Sequence, residues 1–249
     1  TKLACTTADT SIASGEYLMF SQYFEGQDVQ QLKKGTSEAE KFTLSFYVKG
    51  NANATYTAEF SDVDNTRHNA QEFSVTTSWN RVSLTYNGDT TGALDDDSNV
   101  SFRLFIWLHA GSDYTGGTFS SNTWQATNNQ RVSDNQTSFY DSTDRTFFIT
   151  GVQLEIGSQA TPFEHRSFGE EMALCQRYYT VIADGSYASG QSSFGVGTMY
   201  GTTVAYGVVD LPTEMRANPT VESTDATNYM VFYRAGAGDL LDEVAFSIR

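Results

Sequence analysis

The chain has 249 residues, of which 14% are aromatic and 18% are charged, and its formal net charge at pH 7 is −15. Nucleic acids and anionic membranes are bound by clustered Lys and Arg side chains, so this acidic balance argues against both as partners. No stretch approaches the roughly 18 apolar residues of a membrane helix, so we expect no membrane insertion.

From Tyr17 to Gly157 the chain consists of short runs in which apolar and polar residues alternate. One side of FTLSFYVKG carries Phe42, Leu44, Phe46 and Val48, and one side of SFRLFIWLH carries Phe102, Leu104, Ile106 and Leu108. Similar runs are TYTAEFS, RTFFITGVQLEIG and WNRVSLTYNGD, which contains the turn signal Asn87-Gly88. A period of two with no helical period between the runs predicts an antiparallel β-sandwich.

The pattern changes in the segment from Gly151 to Tyr179, which also concentrates reactive side chains. Pro162 disfavours a helix just before it, whereas Ser167 and Glu170 have the spacing of a helix capping box. Met172, Cys175 and Tyr179 would share one face of the following helix. Each charge in the segment thus has an ordinary structural reason, and we interpret the segment as a joint and not as an active site.

This joint divides the chain into two predicted units. Residues 1–166 form the β-sandwich, and residues 167–249 form a capped helix followed by a small β-module. So small a unit buries little surface by itself, so we expect it to complete its core against the first unit or against copies of itself.

Three motifs occur in this order along the chain: FTLSFYVKG, ITGVQLEIGSQATPFEHRSFGEEMALCQRYY and LPTEMRANPTV. In them the chain resembles tail-fibre and related virion proteins of tailed bacteriophages, from about Tyr17 to Val221. The resemblance implies a jelly-roll module of the carbohydrate-binding type and a small C-terminal module at the trimer interface or fibre tip. It also implies a homotrimer on the virion surface that contacts other virion proteins and bacterial surface glycans. The Gly/Ser/Tyr-rich stretch 183–207 matches no part of this pattern.

Motifs for catalysis are missing from the sequence. There is no G-x-S-x-G motif for a nucleophilic serine. GVGTMYG, from Gly195 to Gly201, has the wrong spacing for a phosphate loop and is better read as a strand with small residues at a close contact. The densest carboxylates, Asp95, Asp96 and Asp97, are typical of a solvated turn, with a surface cation site as the alternative. We therefore expect no enzymatic activity.

The sequence also predicts no bound cofactor, with one alternative left open. DVDNTRHNAQEF begins at Asp62 like a calcium loop, but Arg67 and Phe73 stand where that loop needs Gly and Glu. A single structural Ca²⁺ that bridges jelly-roll loops stays open. The histidines His68, His109 and His165 are too scattered for a zinc site. Cys5 and Cys175 are either two buried thiols or one long-range disulfide.

Binding through aromatic side chains is the function that remains. The outward side of SFRLFIWLH carries three rings and an arginine, and is either buried between sheets or subunits or a ligand platform. Tyr114 and Trp124 lie in a long polar loop, where Trp124 either binds a ligand or anchors the loop. The candidate carbohydrate-binding residues are Tyr47, Arg103, Trp107, His109, Tyr114 and Trp124.

We therefore expect a virion fibre subunit that attaches non-covalently to host surface polysaccharide. The two alternatives are a structural decoration or adaptor protein without a ligand, and a polysaccharide depolymerase. Because the chain is strongly acidic, neutral or cation-bridged glycans are the expected ligands.

Overall fold

A computed structural model describes residues 1–182, 196–199, 205–220, 230–234 and 237–241. The chain divides into two compact units, Thr1–Glu164 and His165–Arg249. Most of the Gly/Ser/Tyr-rich stretch 183–207 lies outside the described residues.

The first unit consists of two four-stranded antiparallel sheets. The strands are β1 (Lys2–Ala4), β2 (Tyr17–Glu25), β3 (Phe42–Gly50), β4 (Ala54–Asp62), β5 (Arg67–Val75), β6 (Asn80–Tyr86), β7 (Val100–Ala110) and β8 (Thr146–Ile156). The first sheet has the order β1-β8-β3-β6 and the second has the order β2-β7-β4-β5. The prediction of an antiparallel β-sandwich is confirmed.

Aromatic side chains fill the space between the two sheets. Phe60 stacks on Phe102 with ring centroids 5.2 Å apart, and Phe42 meets Phe60 edge-on at 4.9 Å. The buried hydroxyl of Tyr86 donates a hydrogen bond of 2.9 Å to the Ala58 carbonyl. The residues predicted to face inward on β3 and β7 are all buried. Alternation on these strands therefore identified the core correctly.

A buried charge network joins three parts of the first unit. Asp62 is the last residue of β4, Asp89 lies in the loop after β6, and Lys34 lies in the loop before β3. The Lys34 ammonium contacts the carboxylates of Asp62 and Asp89, which are both buried. It also donates hydrogen bonds of 2.8 and 2.9 Å to the carbonyls of Thr91 and Gly92. Asp62, the first residue of the calcium-like stretch, therefore has a lysine as its cation.

The second unit begins with a helix, Phe168–Gln176, whose predicted capping box is present. The Ser167 hydroxyl accepts a hydrogen bond of 3.3 Å from the Glu170 amide, and the Glu170 carboxylate accepts one of 2.8 Å from the Ser167 amide. The buried face expected of this helix is not observed, because Met172 and Cys175 are exposed and Tyr179 lies beyond the helix end. No helix within the described ranges is long and apolar enough to cross a membrane.

In the part of the second unit that the structure describes, four further strands follow: β9 (Val196–Met199), β10 (Ala205–Val208), β11 (Met230–Arg234) and β12 (Ala237–Leu241). They form two antiparallel ladders, β9 with β10 and β11 with β12. A Cβ atom at Gly197 would lie 2.4 Å from the Tyr206 carbonyl oxygen, so this strand does use a small residue at a close contact.

Neither cysteine forms a disulfide. Cys5 is a buried thiol, as expected, but Cys175 is exposed on the helix of the second unit, so the expectation of two buried thiols is wrong for Cys175.

Candidate functional site

The ring-rich outward side of β7 is covered by the chain itself. Trp107 is only 1% exposed, because the long polar loop after β7 folds over it. From that loop the Tyr114 ring packs 5.1 Å from the Trp107 ring, and the fully buried Val132 completes the cover. The outward side of β7 is therefore buried and is not a ligand platform. A loop of the same chain covers it, and not a sheet or another subunit.

A buried carboxylate fixes this cover in place. Glu59 on β4 accepts a hydrogen bond of 2.6 Å from the Trp107 indole nitrogen and one of 2.9 Å from Arg131 Nε. Arg131 also stacks on aromatic faces, with its Cζ 5.0 Å from the Trp107 ring centroid and 5.4 Å from that of Phe105. Burial raises the pKa of Glu59, and the Arg131 guanidinium and the Trp107 indole oppose that rise. The arrangement stabilises the fold and leaves Trp107 no surface for a ligand.

Two other candidate residues on the outer side of β7 have structural partners as well. The Arg103 guanidinium carbon lies 5.1 Å above the ring of Tyr23 on β2. His109 is buried, and its Nδ1 lies 3.0 Å from the Ser138 hydroxyl. Burial lowers the pKa of His109, so the imidazole is neutral at pH 7.

Trp124 anchors the long loop to the core. Its indole nitrogen donates a hydrogen bond of 2.7 Å to the Asn87 carbonyl, and the Lys34 ammonium lies 5.3 Å from its ring centroid. Tyr47, in contrast, lies on the outer face of the first sheet, where Arg81 is 5.8 Å from its ring. The six predicted residues therefore do not form a single site, because the core separates Tyr47 from the candidates on β7.

The connector after β8 covers part of the outer face of the first sheet. The Thr43 hydroxyl donates a hydrogen bond of 2.8 Å to the Gly157 carbonyl, and Arg81 donates to the Thr161 carbonyl. The Glu164 amide donates to the Gln153 side chain at 2.7 Å. Beyond it, Arg166 pairs with Glu171 at 3.1 Å. These contacts give several polar and charged groups of the segment structural partners.

The other part of this face carries a partly exposed aromatic pair. Trp79, just before β6, is 48% exposed, and its ring meets the half-buried ring of Phe148 on β8 edge-on at 6.3 Å. The Lys49 ammonium lies 5.3 Å from the Trp79 ring centroid and 4.8 Å from that of Phe148. The Lys2 ammonium lies 5.6 Å from the Phe148 ring centroid. We call these four residues the Trp79 surface.

Strand pairing places polar groups beside the Trp79 surface. Phe148 pairs with Lys49 and with Lys2, and the next row of the sheet pairs Tyr47 with Arg81 and with the exposed Thr150. Next to Thr150, Gly151 has φ of +59°, a left-handed conformation that favours glycine. Near this point the ladder between β3 and β8 shifts register. The surface is consequently a mixed aromatic and polar patch beside an irregular part of the ladder.

Sequence reasoning missed the Trp79 surface, although a signal was present. Phe147 and Phe148 are adjacent on one strand, and neighbouring side chains on a strand point to opposite faces. Phe147 is fully buried, so Phe148 has to lie on the outer face.

Other parts of the first unit offer weaker candidates. Among the residues that the structure describes, no group of three or more His, Cys, Asp or Glu side chains could hold a metal ion. A pocket of about 450 Å³ is lined by Val29, Gln30, Lys33, Lys34, Thr36, Glu38, Ala93 and Leu94. This pocket has no aromatic ring in its lining.

No protein-family model matches the chain, and no curated protein matches it. Among solved structures, the chain is similar to one described as "CBM4 structure and function", with 14% identity, a TM-score of 0.30 and coverage of 55% of this chain and 60% of that chain. It is also similar to the N-terminal cellulose-binding domain from Cellulomonas fimi β-1,4-glucanase C, with 13% identity and a TM-score of 0.31. That match covers 64% of this chain and 90% of the other. The chain thus spans 60% of the length of the first of these structures, and its function has to be argued from its own residues.

Proposed function

We propose that the chain is a non-catalytic segment of a bacteriophage virion fibre that attaches to polysaccharide on the host cell surface through the Trp79 surface. The exposed Trp79 ring and the half-buried Phe148 ring beside it carry this proposal. Sugars present C–H faces that pack on aromatic rings and hydroxyl edges that bind polar groups. Trp79 and Phe148 supply the rings, and the neighbouring Lys49 and Thr150 supply polar groups.

The shape of the surface supports an extended ligand over a small molecule. The two rings and the row of Tyr47 and Arg81 beside them lie on the outer face of a sheet. Successive rows on one side of a strand are about 7 Å apart, so a chain of sugars could span both rows. A small molecule would instead favour a deep pocket that encloses most of its surface.

The virion location and the homotrimer rest on the resemblance of the three motifs to phage fibre proteins. A trimer would hold three copies of the Trp79 surface together, and linked weak sites bind far more tightly than one site alone. Light scattering on the purified chain measures the oligomer. A monomer at micromolar concentration would contradict this part of the proposal without affecting the Trp79 surface.

Affinity electrophoresis through gels that contain polysaccharide tests the binding function. We expect at least one of dextran, polygalacturonate and dextran sulfate to retard the wild-type chain. Trp79→Ala should weaken that retention by about ten-fold, because it removes the most exposed ring of the surface. Tyr23→Ala is the matched control, since Tyr23 is an equally exposed ring (50%) on the opposite sheet, and it should bind like wild type.

Two outcomes would contradict the proposal. One is wild-type migration that no polysaccharide retards, and the other is equal loss of retention in both variants. The depolymerase alternative is tested in the same samples, because cleavage would release new reducing ends. We expect none from any of the three polysaccharides.

A further inference from the structure

The Trp79 surface has a charge opposite to that of the whole chain. Although 30 residues of the chain are Asp or Glu, none occurs in the segments 1–8, 41–53, 76–88 and 145–154, which contain this part of the first sheet. Asp144 and Glu155 are the first carboxylates along the chain in either direction from Phe148. The local charge is therefore positive.

Two ammonium groups converge on one ring of this surface. Lys2 and Lys49 lie 5.6 and 4.8 Å from the Phe148 ring centroid. Neither lysine forms an ion pair with a carboxylate within the described part of the chain. Arg81 differs, because its guanidinium donates hydrogen bonds to Ser45 and Thr161. Two like charges held close together without a counter-ion attract an anion.

The nearest carboxylates lie too far from Lys2 and Lys49 to cancel the positive charge that a ligand would encounter at the Trp79 surface. Asp144 is four residues before Phe148, which is about 13 Å at the usual rise per residue, and Glu155 pairs with Thr43, which lies about 20 Å along β3 from Lys49. The Glu155 carboxylate also accepts a hydrogen bond of 3.1 Å from the Thr161 amide. Charges in physiological salt are screened over about 8 Å, so the lysines outweigh the net charge of the chain at this surface.

We infer that the polysaccharide bound by the Trp79 surface is anionic, and that Lys2 and Lys49 bind its carboxylate or sulfate groups directly. This inference rests on the proposed function and narrows its ligand class. It replaces the expectation of neutral or cation-bridged glycans, which was based on net charge alone. Sugar rings stack on Trp79 and Phe148 while the anionic substituents contact the two ammonium groups.

The test measures binding of the full chain to polygalacturonate, dextran sulfate and uncharged dextran, each with and without EDTA. We expect the anionic polymers to bind at least about ten-fold more tightly than dextran, with affinity that falls as salt rises. Polygalacturonate carries carboxylates and dextran sulfate carries sulfates, so the tighter of the two identifies the preferred anion.

The double variant Lys2→Gln/Lys49→Gln should weaken binding of the preferred polymer by about ten-fold. Lys33→Gln/Lys41→Gln changes the net charge equally at exposed positions outside the Trp79 surface, and it should bind within about two-fold of wild type. Tight binding to dextran that both variants retain would overturn the anionic inference and leave the proposed function standing. Equal losses in both double variants, or anionic binding that EDTA abolishes, would also overturn it. Binding to none of the polymers would instead contradict the proposed function itself.

Discussion

Both outer faces of the sandwich carry a tryptophan beside a cation and a second aromatic ring. The tryptophan is covered on one face and exposed on the other. On the second sheet, Trp107 packs under a cation and a neighbouring ring, and a loop closes over all of them. On the first sheet, Trp79 has a cation and a neighbouring ring as well, but about half of its surface is exposed. The difference is the buried carboxylate of Glu59, which binds the cation of the loop and so fixes the cover.

This comparison shows that a ring and a cation do not by themselves identify a binding surface. In the covered contact of Trp107 the cation is held by a buried carboxylate, whereas in the contact of Trp79 no carboxylate pairs with the cation, which is left for a ligand.

The largest difference is expected between the two tryptophans. Trp107→Ala should lower the free energy of unfolding by about 5 kcal/mol, because it opens a cavity and leaves a Glu59 oxygen without its donor. Trp79→Ala should lower it by about 1 kcal/mol or less, because that ring is half exposed. Urea unfolding followed by circular dichroism measures both. Similar losses in the two variants would mean that the faces are not different.

The second comparison is between Arg131 and Lys49, the cations that lie over the aromatic rings of the two faces. Arg131→Met should cost about 3–5 kcal/mol, because it leaves the Glu59 carboxylate buried and unpaired. Lys49→Met should cost less than about 1 kcal/mol, since no carboxylate depends on it. Adding Glu59→Gln to Arg131→Met should recover most of the loss in urea unfolding. Failure of that rescue would argue against an ion pair as the fixing contact.

Lowering the pH should reduce the stability of the chain through His68, which lies next to the loop that covers the second sheet. This side chain on β5 is 5% exposed, and its backbone pairs with Gln125 of the loop. Burial, together with the charges of Arg131 and Arg67, lowers the pKa of His68 to about 4. The unfolded chain binds this proton near pH 6.5, so the stability present above pH 6.5 is lost as the pH falls towards 4.

The expected loss from His68 is about 1–3 kcal/mol across that range. Unfolding free energies measured from pH 7 to pH 4 should therefore fall less steeply in His68→Gln than in wild type. Trp79→Ala, on the other sheet, should keep the wild-type slope. Parallel curves for wild type and His68→Gln would refute this prediction.

The smallest effect concerns accessibility and changes no stability. The chain has three tryptophans, so pairs of Trp→Phe substitutions leave one reporter at a time. Acrylamide should quench Trp79 strongly, Trp124 less and Trp107 hardly at all, in the order of their exposure. Denatured samples, in which all three are accessible, provide the reference. Strong quenching of Trp107 in the native chain would show that the loop does not cover it.

Much of the fold could be predicted because alternation marks a strand whose two sides differ. Strand β5 was not predicted from alternation. Arg67, Asn69 and Gln71 lie on the same side of this strand as the buried Phe73. With polar residues on both sides there is no alternation to detect, and part of the strand resembled a calcium loop instead.

The burial of the candidate residues on β7 was harder to predict, because the loop that covers them comes from a distant part of the chain. The outward rings of β7 were visible in the sequence, but Glu59 and Arg131 are 72 residues apart and nothing local links them. Similarly, Trp79 and Phe148 meet only because β3 pairs with both β6 and β8. Contacts set by the order of strands in a sheet cannot be read from a local pattern.

The lysine that joins Asp62 to Asp89 gives one end of the sandwich a cation that cannot diffuse away. A free ion at such a place would exchange with the surroundings, and its occupancy would follow the composition of the medium. The tethered ammonium is present in every folded copy whatever the medium contains. Because buried ion pairs are screened less than exposed ones, we expect the loops that it joins to stay together over a wide range of salt and calcium concentrations.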